Sequence, residues 1–175
     1  MWAIGSSVKL SDTEKKLAED IATWREQTSR QVGITDRKIG PQSNRDTDLM
    51  GAAGELGFCR MSNVYPNVSA DSRPDFDVTI YSGVTVDIKT TTYPHGKLLV
   101  ALSKKNSRVD LFALMTGEFP GPYVFRGFMS REELCTAEHV KNLGSGDCYA
   151  AEQHELEGIP AVIRVVEKKK AAGEL

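Results

Sequence analysis

The sequence predicts an α/β domain with a mixed central β-sheet flanked by helices. Three observations carry this. Pro74 to Thr92 alternates apolar and polar residues with a period of two on either side of Ser82-Gly83, the mark of a strand hairpin. Ser11-Asp12-Thr13-Glu14 is a capping box, followed by apolar residues at helical spacing. Lys97–Leu102 and Val109–Met115 are short, nearly continuous apolar runs, as buried strands are. The resulting order is helix, helix, hairpin, further strands, helix, closing strand.

The first helix places Leu17, Ile21, Trp24 and Thr28 on one face and runs to about Gln31, with Gly33 ending it. Trp24 is read as core packing, because large aromatics are mostly buried. Thr35 to Arg45 is a polar connector with a Gly40-Pro41 turn and the basic residues Arg37, Lys38 and Arg45. A second helix spans about Thr47 to Met61, with Thr47 or Asp46 as its cap. Gly51, Gly54 and Gly57 recur in it, and each costs about 1 kcal/mol in a helix interior. Close approach of this helix to the sheet accounts for them and brings Glu55 toward the strands. Asn63 to Arg73 is a loop.

In the hairpin, a three-residue loop of Tyr81, Ser82 and Gly83 pairs Ile80 with Val84, Val78 with Val86 and Phe76 with Ile88. This keeps the apolar set on one face and puts Gly83 where such loops need a left-handed residue. The same register sets Asp77 opposite Asp87 and Asp75 opposite Lys89. Tyr93-Pro94-His95-Gly96 is then a turn, and Lys97–Leu102 a buried strand. Lys104, Lys105 and Arg108 form a basic cluster suited to a phosphate backbone. Val109–Met115 and Tyr123–Phe128 are strands around a loop rich in Gly and Pro. Ser130 to Glu133 is a second capping box, opening a helix through about Val140. Leu143–Asp147 is a turn, Tyr149–Leu156 a short strand and turn, Ala161–Val166 a final strand, and Lys168 to Lys170 a solvated basic tail.

The hairpin register has a chemical consequence. Directly opposed residues sit roughly 4.5–5.5 Å apart. Two carboxylates at that distance repel unless positive charge lies between them. A divalent cation with oxygen ligands is a natural occupant, and Mg²⁺ suits one or two carboxylates plus water and substrate phosphate. Lys89 projects from the same face as Asp87 and can steer a water or stabilise charge on a phosphate.

Pro74-Asp75 followed by Asp87-Ile88-Lys89 resembles the PD-(D/E)XK nuclease superfamily in a small, single-domain, phage-type form. Glu55, in Gly51-Ala52-Ala53-Gly54-Glu55-Leu56-Gly57-Phe58, matches the helix glutamate that often completes that site. The resemblance covers Leu49 to Leu102 and extends more weakly to Ile159. It implies a restriction-endonuclease-like core and a Mg²⁺-dependent deoxyribonuclease of the endonuclease type, with Mn²⁺ as substitute. The metal set is then Glu55, Asp77, Asp75, Asp87 and Ile88, with Lys89 as the catalytic amine. The motif nominates Asp75 and the register nominates Asp77; both remain candidates, with Asp77 favoured. DNA is the implied partner, although the residues themselves do not discriminate it from RNA. A double-strand cut needs two sites, which would call for a homodimer. The alternatives are a catalytically inactive nuclease-fold module that binds nucleic acid or a protein partner, and an unrelated domain in which Glu55 lies far from Asp87.

Length and composition set the bounds. The 175 residues suit one domain over 1–175, with 1–10 and 167–175 read as flexible ends. A hydrophobic content of 40% and a charged content of 26% are ordinary for a globular chain. The net charge of −2 gives no global attraction to nucleic acid, so any such contact needs a local basic patch. Cys59, Cys135 and Cys148 form no C-x-x-C pair, which argues against a disulfide framework or structural zinc and for a reducing, cytoplasmic setting. No signal sequence is evident at the N-terminus, and no apolar run approaches the ~20 residues of a membrane span.

Overall fold

Ser11 opens helix α1 (Asp12–Val32) through the expected capping box: its amide and hydroxyl both donate to Glu14 Oε2 at 2.6 Å. The computed structural model describes residues 3–32, 43–67, 75–80, 83–144 and 146–175. The Gly33 stop, the Gly40-Pro41 turn with Arg37 and Lys38, the loop from 68 to 73, Pro74, and Tyr81 with Ser82 of the hairpin loop lie outside those residues.

The buried stripe of α1 is Ala18, Ile21 and Ala22, with Leu17 partly buried beside it. Trp24 is 54% exposed, contrary to its reading as core. The small alanines let α1 lie close against the next helix, which turns the indole outward. That helix, α2 (Asn44–Ser62), begins earlier than expected. Ser43 is its cap, and Asp46 is the partner in a capping box rather than the cap itself. Arg45 therefore belongs to the first turn of α2 and not to a connector.

The main sheet is five-stranded and mixed, in the order β1-β6-β5-β3-β2. Its strands are β1 (Ser7–Val8), β2 (Val78–Ile80), β3 (Val84–Thr91), β5 (Leu111–Thr116) and β6 (Tyr123–Ser130). β3 and β5 run parallel; the other neighbours are antiparallel. The hairpin register is as expected for Val78 with Val86 and Ile80 with Val84, and Gly83 is left-handed at φ +69°. Val78, Ile80, Val84, Val86 and Ile88 all join one core cluster with α1 and α2. Phe76 does not. It packs into a second cluster instead, so its expected pairing with Ile88 is not formed.

That second cluster lies between the main sheet and a smaller antiparallel sheet, β4-β8-β7. β4 (Leu98–Ala101) therefore leaves the main sheet, and β7 (Val140–Asn142) and β8 (Asp147–Ala151) complete the smaller one. The helix after Ser130, α3 (Arg131–Leu134), has its capping box but stops at Cys135, well short of Val140. Val140 is drawn into strand pairing with Tyr149.

The closing strand is in fact a helix, α4 (Ile159–Ala171), with proline in its first turn. Ala161, Val162, Val165 and Val166 recur at helical spacing and pack on the main core, a period that the β-branched composition masks. Lys168 to Lys170 fall in its last turn, and Lys169 bonds Asp110 at 2.6 Å, so they are not a free tail. The chain is thus α/β, with helices flanking a mixed sheet. Among the described residues no helix is long and apolar enough to cross a membrane.

Candidate active site

β3 supplies Asp87 and Lys89 from the middle of the sheet. Asp87 is 2% exposed, a burial that a carboxylate tolerates only when compensated. Two ammonium groups provide the compensation. Lys89 lies against Oδ1 as an ion pair, and Lys104 Nζ stands 2.7 Å from Oδ2. Burial alone would lower the Lys89 pKa, but Asp87 first and Asp77 next hold it above the ordinary lysine value. Its side chain is one-third exposed, so the amine is not sunk in the apolar core.

Asp77 sits where β2 gives out. Its amide donates to the Val86 carbonyl at 2.9 Å, and its carboxylate accepts the Ile88 amide at 2.6 Å. The side chain thus replaces the strand that would otherwise continue opposite Asp87. Burial pushes the Asp77 pKa up to about 7, helped by the negative charges of Glu55 and Asp87. Lys89 and the Ile88 amide pull the other way. Glu55, Asp77, Asp87 and Lys89 therefore share one electrostatic neighbourhood.

Glu55 reaches it because α2 lies hard against β3. A Cβ on Gly54 would fall 1.9 Å from Thr90 Oγ1 and 2.8 Å from Thr90 Cβ. Gly57 is also close-packed, with Val8 Cγ1 3.3 Å from where its Cβ would be. Gly51 is not: its nearest neighbours, Arg25 and Glu55 side-chain atoms at 3.8 and 3.9 Å, would leave room for a methyl. Close approach thus explains two of the three glycines. Glu55 is held by Arg25 of α1 in a bidentate pair, with Nη1–Oε1 at 2.9 Å and Nη2–Oε2 at 2.7 Å. Burial would lower the Arg25 pKa, but the Glu55 bond more than offsets it.

Asp75 stands at the rim. Its carboxylate faces Arg108, with Nε 3.6 Å away, and its carbonyl accepts from Lys104. The expected pairing with Lys89 is not formed, since β2 begins only at Val78. Ile88 contributes its amide to Asp77 and its side chain to the core. His95 is exposed in the expected turn, which Gly96 closes by donating to the Tyr93 carbonyl.

Arg25 and Lys104 are the residues that sequence reasoning missed. Lys104 was visible only as part of a basic cluster, and Arg25 carried no signal, because its partner is on another helix. Cys59 is buried beside the same acids; burial first, then Glu55 and Asp77, push its thiol up to about 12, so it is a poor nucleophile.

The donor set fits a hard divalent cation in its chemistry. It is all oxygen, and two of its acids raise the pKa of the third. Among the described residues, however, no three acid, His or Cys side chains already stand together as metal ligands. The positive charge is supplied by the chain itself, through Arg25, Lys89 and Lys104.

Fold and site together define an α/β domain with a partly buried acid–lysine cluster where α2 meets β3 and the start of β2. The chain belongs to a family of unknown function (DUF5843), whose profile matches residues 2–118. No curated protein and no solved structure matches it.

Proposed function

We propose that this protein is a divalent-metal-dependent nuclease that hydrolyses phosphodiester bonds, with DNA as the polymer. The observation that carries the reading is the electrostatic coupling of Glu55 on α2, Asp77 just ahead of β2, and Asp87 and Lys89 on β3. Separate elements supplying a set of acids and an amine are what metal-assisted phosphate chemistry needs. Glu55, Asp77 and Asp87 would hold Mg²⁺, with Asp75 at the rim. When bound there, Mg²⁺ would lower the pKa of a water and neutralise charge on the scissile phosphate. β3 keeps Asp87 fixed, the Ile88 amide orients Asp77, and Lys89 presents its amine to the attacking water or the phosphate oxygens. A double-strand cut by this site would require two copies of the chain.

The test is cleavage of single- and double-stranded DNA, and of RNA, by purified protein with Mg²⁺ or Mn²⁺. Asp87→Ala and Lys89→Ala should each lower the rate by about 10²–10³ or more. A second reading, a module that binds without cleaving, is favoured by one observation: Glu55 and Asp87 each already have a cation of the chain as partner. Binding of DNA with no cleavage under any divalent ion would select it.

A further inference from the structure

Lys104 occupies an unusual place. It comes from the short 3-10 segment Leu102–Asn106, outside both sheets, yet its ammonium reaches Asp87 Oδ2 at 2.7 Å and the Asp75 carbonyl. With Lys89 against Oδ1, both oxygens of Asp87 face an ammonium group. A divalent cation binds a carboxylate oxygen at about 2.0–2.1 Å if it is Mg²⁺. Such a cation and an ammonium group on the same oxygen would repel strongly, so one must leave. Lys89 is fixed two residues along the same strand. Lys104 is carried by a single turn, and the groups beside it are Arg108 at the rim, 79% exposed, and Asp75.

We infer that Lys104 serves two partners in turn: it neutralises Asp87 in the metal-free protein, and a divalent cation displaces it toward the substrate phosphate. This rests on the proposed metal site and assigns a positioning and substrate-binding role to a residue outside the motif. The exchange is ionic, with no bond made or broken. Lys104→Met keeps the aliphatic stem and removes the charge, so it separates the two roles from packing.

The experiment measures Mn²⁺ binding by the full chain, by calorimetry and by electron paramagnetic resonance, for wild type, Lys104→Met and Asp87→Ala. Lys104→Met should bind Mn²⁺ more tightly, by roughly three- to tenfold, since the competing charge is gone. It should also melt at a lower temperature than wild type without metal, with saturating Mn²⁺ closing that gap. Binding to a DNA duplex in Ca²⁺ should weaken about equally across sequences, with the salt slope reduced by about one. Lys104→Arg should retain duplex binding. If Lys104→Met binds Mn²⁺ no more tightly than wild type, or binds duplex as well as wild type, the inference is overturned. Should wild type cleave DNA while that happens, the nuclease reading stands and only the role of Lys104 falls. Conversely, tighter Mn²⁺ binding and weaker duplex binding by Lys104→Met, with no cleavage by wild type, keep the inference and remove the nuclease.

Discussion

Asp77 is the residue whose ionisation the fold resists most clearly. Its pKa rises from 3.8 to about 7, mainly by burial and then by Glu55 and Asp87. The unfolded chain would therefore hold fewer protons than the folded one between those values. Stability accordingly falls as pH rises from about 4 to about 7, and the penalty is complete above that. Asp77→Asn keeps an acceptor for the Ile88 amide and removes the charge. In metal-free buffer at pH 8 it should be more stable than wild type, on the order of 2–4 kcal/mol, and the difference should vanish near pH 4. Urea melts of both proteins across that range check this; a pH-independent difference would mean that the charge is compensated. That Asp77, and not Asp75, stands beside Asp87 and Lys89 was legible in the register of the hairpin, because strand alternation fixes which face each occupies. Arg25 and Lys104 were not, because an ion pair between distant elements leaves no periodic trace. Glu55 was legible through the resemblance of its segment to a helix glutamate and through its flanking glycines, not through any periodicity.

Those glycines act at the scale of elements. The contact of Gly54 with Thr90 sets how deeply α2 rides on β3, and hence whether Glu55 meets the strand acids. Gly54→Ala gains helix propensity worth about 1 kcal/mol, yet its methyl would collide with a β-branched side chain on a central strand. The collision should win, with a net loss of roughly 1–3 kcal/mol in urea unfolding. Thr90→Ala in the same chain should recover only part of it, since Thr90 Cβ itself lies within 2.8 Å of the new methyl. Gly51→Ala should be neutral or stabilising, since its surroundings are open. Element identity was readable where a cap or a clear alternation marked it, as in α1 and the hairpin. It failed for α4, where Val162, Ile163, Val165 and Val166 suggested a strand by composition while their burial follows a helical period. It failed again at Trp24, where the alanines and not the largest side chain form the packed face.

For the molecule as a whole, the sheet separates two apolar clusters, one under the helices and one under the smaller sheet. The general α/β layout could be read from the order of apolar runs. The division into two sheets could not, because an apolar run does not say which neighbour it pairs with. Glu55, Asp77, Asp87 and Lys89, with Arg25 and Lys104, all fall within the 2–118 span that the family profile matches. β6, α3, β7, β8 and α4 lie beyond it, and β6 joins the main sheet between β1 and β5. The parallel pairing of β3 with β5 carries a kinetic consequence. The chain leaves β3, visits the smaller sheet through β4, and only then returns to lie beside it. Such non-local closure is slow, so refolding should fall in the millisecond-to-second range, with no early burst of native sheet. Pulse-labelled amide exchange should find the amides of Asp87 and Lys89 protected in the same late phase as those of β5, so that the acidic centre matures only when the last-arriving partner strand docks.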